Sequence, residues 1–177
     1  LTSESLAAPR SWVADKMITL AWQRTLEQNK AIRPWPGAET VPVARIAIPD
    51  IEQQFVVMAE SNPAILKYAP GWNPESQKPG LPGISLIAAY HDRHFGFLPD
   101  LEKGMNLILT DEQGAQKEYV IETVEILQVP ETKIRKRRNQ SILLLSTSYP
   151  VENGVFDDHI YFVATARETK KPVRLLM

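Results

Sequence analysis

At 177 residues, 44% of them hydrophobic and 23% charged, the chain has the size and composition of one globular domain with its own core. Its net charge of −1 gives no overall attraction to nucleic acid or to an anionic membrane surface. The absence of cysteine excludes disulfides, thiolate metal sites and cysteine nucleophiles, and no apolar run reaches the ~20 residues with which a helix crosses a bilayer.

Between Ser11 and Gln28, the residues Ile18, Ala21, Trp22, Thr25 and Leu26 recur at steps of three and four. They make one apolar stripe, which predicts a helix. Lys16, Gln23, Arg24 and Glu27 fall off the stripe; Asn29 and Lys30 release the helix, and Pro34 and Pro36 keep it from resuming. Two readings of this helix stay open. It packs across the outside of the domain, or it continues a membrane anchor upstream of Leu1, a chain start that is not Met.

After Pro42 the period shortens to two. Val43–Ile48 alternates and stops at Pro49, and a second strand is predicted at Gln54–Met58. Asn62 and Pro63 start one helical turn through Ile65 and Leu66, and the Pro- and Gly-rich stretch from Ala69 to Gly83 reads as a long ordered loop. Further strands are expected at Ile84–Tyr90, Asn106–Thr110, Gln116–Val129, Ile142–Thr147 and Ile160–Thr165, with a tight turn at Asp111–Gly114. The expected organisation is an N-terminal helical segment, 1–30, followed by a β domain, 31–177. Many short strands with almost no internal helix predict an all-β fold: a closed barrel of seven to eight strands, with short helical turns in its loops.

The run Lys133-Ile134-Arg135-Lys136-Arg137-Arg138 places five basic residues in six between two predicted strands. It reads as a solvated loop or as a contact for an anionic partner. No aromatics interleave with these charges, so a nucleic-acid platform is a poor fit. The carboxylates have no paired or metal-ligand spacing, and no glycine-rich phosphate loop occurs. Neither a metal nor a cofactor is expected.

Three blocks carry a resemblance to a known family. The first is Ala21-Trp22-Gln23-Arg24-Thr25-Leu26 with Arg33-Pro34-Trp35-Pro36 and Pro42-Val43-Ala44-Arg45-Ile46. The second is Ser85 to Phe95 (Ser-Leu-Ile-Ala-Ala-Tyr-His-Asp-Arg-His-Phe), and the third is Leu143 to Pro150 (Leu-Leu-Leu-Ser-Thr-Ser-Tyr-Pro). In this order they resemble the sortases, especially the single-domain sortases of Gram-negative bacteria, over about residue 15 to the end. The resemblance implies a membrane-anchored transpeptidase that cuts a sorting signal and passes the acyl group to an amine, using a cysteine, a histidine and an arginine.

Carried over position by position, the family cysteine falls on Ser148, the histidine on Tyr90 and the arginine on Ile160, so all three depart from the pattern. A hydroxyl is far less acidic than a thiol and needs a strong neighbouring base. An ordinary phenol, with a pKa of ~10, is neutral at pH 7. Isoleucine offers neither charge nor donor to an oxyanion, and losing one such donor typically costs ~3 kcal/mol. A relocated base could come from His91, His94 or His159. On a regular strand His91 points away from Tyr90's face, unless a bulge turns it. His94 matches a histidine that the family carries beside its catalytic one.

The resemblance also puts Ala89, Thr147 and the basic residues Arg135, Lys136, Arg137 and Arg138 along the substrate groove. The expected protein is a sortase relative on the outer face of the cytoplasmic membrane that has lost cysteine transpeptidation. It would bind a peptide or protein, such as a sorting-signal-bearing surface protein or an active sortase, and no nucleic acid. The alternative is a transpeptidase or hydrolase that uses Ser148 with a relocated histidine.

Overall fold

The computed structural model describes residues 11–128, 139–151 and 155–169. Helix α1 (Ser11–Gln28) forms where the apolar stripe predicts it, with Ala14, Ile18, Ala21, Trp22 and Thr25 buried. Asn29 closes it at a positive φ of 52°, a conformation that asparagine tolerates better than most residues. The helix lies against the outside of the barrel. There Ile18 packs with Met58, Ile65 and Ala69 in a small satellite core flanked by Trp35, Val56 and Tyr68. Among the described residues, no helix is long and apolar enough to cross a membrane.

Eight strands follow: β1 (Pro42–Ile48), β2 (Gln53–Met58), β3 (Gly71–Trp72), β4 (Gly83–Ala88), β5 (Asn106–Asp111), β6 (Gln116–Gln128), β7 (Ser141–Val151) and β8 (Val155–Glu168). They close into a barrel in the order β1-β2-β3-β4-β7-β8-β6-β5, sealed by β1 against β5. All neighbours are antiparallel except β2–β3 and β4–β7. Period-two patterning builds the interior: Ala44, Ile46 and Ile48 of β1 meet Ile87 of β4, Leu143 and Leu145 of β7, and Ala164 and Ala166 of β8 in one core. The β5–β6 hairpin turns as predicted. Asp111 accepts from the N–H groups of Gln113 and Ala115, and Gly114 takes the positive φ (84°) that such a turn requires.

Several boundaries depart from the sequence reading, among them that of β7, which runs on to Val151 where an end at Thr147 was expected. The stretch from Ala69 to Gly83 is not all loop: Gly71 and Trp72 form β3, which bridges β2 to β4. Glycine is required there, since a Cβ at Gly71 would stand 2.1 Å from the carbonyl oxygen of Glu60. Strand β4 ends at Ala88 instead of Tyr90, because the Tyr90 carbonyl turns to accept from the N–H groups of Arg93 and Phe95. Strand β8 begins at Val155, five residues before the expected start, since Val155 and Phe156 pair with Val151 and Pro150 of β7 across a shift in register. Helix α2 (Pro63–Leu66) forms where Asn62 and Pro63 predict it, and the Asn62 side chain accepts from the Ile65 N–H.

Candidate functional site

Of the three expected family positions, Ser148 lies on β7 and Ile160 on β8, and Tyr90 lies two residues past the end of β4. In the barrel β4 lies beside β7, and β7 lies beside β8. Strand β4 runs parallel to β7 with Ala88 level with Ser146, and the Ala89 N–H donates to the Ser146 carbonyl at 3.2 Å. Tyr90 follows at the start of the turn, beyond the last recorded pairing with β7. Burial alternation then gives the face. Ser85, Ile87 and Ala89 are buried on β4 and just past its end, and Leu143, Leu145 and Thr147 are buried on β7. Leu86, Ala88 and Tyr90 therefore share the outer face with Leu144, Ser146 and Ser148, and all six are half-buried. Neighbouring parallel strands thus bring the phenol position and the hydroxyl position to one rim of the barrel.

Ile160 stands differently. Ser148 pairs with Tyr161 across β7 and β8, and Thr147 pairs with Phe162. Between Ile160 and Thr165 β8 pairs with β6 without a register shift, so Ile160 has the phase of Phe162 and Ala164, which pack into the core. Tyr161, which was not singled out from the sequence, has the phase of Ser148. The signal for it was available, since alternation counted back from Ala164 separates Tyr161 from Ile160.

Ala89 and Thr147 are 4% and 2% exposed, so their side chains belong to the barrel interior and only their backbone faces the groove side. The Thr147 hydroxyl is buried without a hydrogen-bond partner among the described residues. The basic residues Arg135, Lys136, Arg137 and Arg138 lie outside the described residues, as does the side chain of His159.

His91 is half-buried in the turn that follows Tyr90. That turn is tight, since a Cβ on Gly96 would stand 2.8 Å from the His91 carbonyl oxygen. An edge-to-face cluster of Phe55, Phe95 and Phe97, with centroids 5.4 to 5.9 Å apart, holds it against the barrel. His94 reaches the helix side, with Nε2 3.9 Å from Oδ1 of Asp15 on α1. Burial pushes its pKa below the ordinary value of 6.5, against the opposing pull of Asp15 and with a smaller push from Arg93. Among the described residues, no group of His, Asp and Glu side chains is arranged to hold a metal ion.

A family model described as the Sortase domain matches residues 46–167, which hold Tyr90, Ser148 and Ile160. Solved structures with the same fold include a Clostridium perfringens sortase D5 transpeptidase, at TM-score 0.70 and 15% identity over 90% of this chain and 99% of that one. They also include sortase A from Corynebacterium diphtheriae, at TM-score 0.66 and 17% identity over 93% and 88%. A third is sortase A of Listeria monocytogenes, at TM-score 0.60 and 24% identity over 73% and 88%. At these identities the likeness is one of fold. Comparison with curated proteins gives no significant match.

Proposed function

The chain belongs to the sortase family, and from that premise we propose that it binds an extended peptide at the outer face of β4 and β7 without carrying out the family's acyl transfer. The absence of a thiol anywhere in the 177 residues supports the loss of transfer chemistry. A serine at position 148 would need a base, and the position expected for the family histidine holds the phenol of Tyr90. His94, a candidate base, is engaged with Asp15 on the helix side. No described cation shares the outer face at Ser148 in the register, where the β8 partner is Tyr161.

Binding is supported by one observation above the others. Beyond Ser146 the β4-side edge of β7 has no strand partner among the described residues, while β7 itself runs on to Val151. This short edge offers N–H and C=O groups to an incoming strand. Pro150 has no N–H and limits its length. Half-buried Leu86, Ala88 and Leu144 give the adjoining face an apolar floor, and Ser146 and Ser148 give it two hydroxyls. By analogy with its family, the protein would act outside the cytoplasmic membrane, on a sorting-signal-bearing protein or an active sortase.

The test is selection from a displayed peptide library, followed by titration of the enriched peptides. Enriched peptides should bind the protein intact and lose binding to Ala88→Trp, which fills the outer face without touching the core. Equal binding to Ala88→Trp, or no enrichment, would refute the site.

A further inference from the structure

A second site lies on the far side of the turn that carries Tyr90. Between α1 and the outer face of β1 and β2 is a cleft of about 620 Å³, within the ~300–1,000 Å³ of small-molecule sites. Its floor is apolar, formed by Ile18, Val56 and Pro70. Its polar groups are mostly donors without partners. Arg45 projects from β1 between the buried Ala44 and Ile46, so it stands on the outer face under α1. It is half-buried, with no hydrogen bond or ion pair among the described residues. Gln54, its diagonal neighbour on β2, is likewise without a hydrogen bond among them. The indole N–H of Trp22 is buried in a residue only 1% exposed and finds no acceptor among the described residues, and Nδ1 of His94 is likewise buried and unpaired among them. Lys16 adds a second cation from the helix. The cleft's carboxylate, Asp15, is 70% exposed and lies near His94, so it does not neutralise Arg45.

We infer that this cleft binds a carboxylate bearing an apolar tail, with Arg45 taking the carboxylate and the tail lying on Ile18, Val56 and Pro70. Several features select that class. A half-buried guanidinium without an acceptor is costly, and an anion satisfies it. Guanidinium matches a carboxylate in a two-bond geometry that an ammonium does not provide. The apolar floor favours a tail over a small inorganic anion. The site is independent of the groove at Ser148, so it stands or falls separately from the function proposed above.

Titrating octanoate into isotope-labelled protein tests it. Saturable chemical-shift changes are expected at the amides of Arg45 and Gln54 and at the Trp22 indole. Octylammonium, with the same tail and opposite charge, should bind at least tenfold more weakly. Gln54→Glu keeps the side-chain size and gives Arg45 an internal carboxylate, so it should weaken octanoate about tenfold or more while the spectrum elsewhere is retained. The proposal is overturned if octanoate gives no saturable shifts, if octylammonium binds as tightly, or if Gln54→Glu binds octanoate unchanged.

Discussion

Ser148 on β7 and Tyr161 on β8 are cross-strand partners, so the position that can reach Ser148's side of the sheet is Tyr161, with Ile160 one step out of phase. Directly opposed residues in an antiparallel pair share a face and bring their Cβ atoms to ~4.5–5.5 Å. A cation meant to act on residue 148 from β8 must therefore enter at 161 or another position of that phase.

This relationship makes the thiol-restoration experiment specific. In a background of Tyr90→His and Ser148→Cys, adding Tyr161→Arg should lower the pH midpoint of thiol alkylation by about one unit, because a cation within ~4–6 Å favours the thiolate. Adding Ile160→Arg instead should leave the midpoint close to that of the double variant. It should also destabilise the fold, since position 160 has the phase of the core residues Phe162 and Ala164. Alkylation rates against pH for the three variants decide the matter; a larger shift from Ile160→Arg would reverse the assignment.

Tyr119 gives a prediction about stability. Its hydroxyl and Ser141 Oγ are 2.7 Å apart in the interior, and burial, partly offset by that hydrogen bond, pushes the Tyr119 pKa up to about 12. In the unfolded chain a tyrosine releases its proton near ~10. Between those values the native state holds a proton that the unfolded state has lost, so stability is fully present below ~pH 10 and falls as the pH rises toward 12. The loss across that window is on the order of 2–3 kcal/mol. Tyr119→Phe removes this dependence and costs about 1 kcal/mol near neutral pH. Denaturant unfolding of both proteins on either side of ~pH 10 should show the variant losing less; parallel losses would contradict the assignment.

The pairing of His94 with Asp15 predicts a titration. Burial lowers the His94 pKa and Asp15 raises it, so Asp15→Asn should move the His94 midpoint further down, read by NMR of the imidazole protons. Because the native value lies below the unfolded one, the neutral ring contributes stability that is present above ~6.5 and is lost as the pH falls through the folded midpoint. Asp15→Asn should extend that loss to lower pH. An upward or absent displacement would mean that Asp15 does not face the ring.

Much of this was legible in the sequence, for physical reasons that differ by element. Ile18, Ala21, Trp22 and Thr25 declare α1 because a helix repeats its buried face every 3.6 residues. The long strands declare themselves by alternation. Strand β3 could not, since two residues carry no period and its pairing is read only from Gly71's approach to Glu60. The early start of β8 was hidden because the polar Asp157, Asp158 and His159 separate the alternating run from Val155 and Phe156, which pair with β7 across a register shift. At the site, the motif blocks lead to Tyr90 and Ser148, which lie just past the end of β4 and on the neighbouring β7. Alternation had already separated Ile160 from Tyr161, but motif spacing was followed there instead. The cleft under α1 was not legible, since no local pattern links Lys16, Arg45 and His94 before the chain folds.

The central claim is that Ser148 is no longer an activated nucleophile, and intact mass spectrometry tests it directly. The protein is incubated with a serine-directed fluorophosphonate and, separately, with a sorting-signal peptide and an amine. The account predicts no added mass on Ser148 and neither cleaved nor joined peptide above background. Stoichiometric labelling of Ser148 that disappears when His91, His94 or His159 is replaced would contradict it, and would establish a serine enzyme with a relocated base.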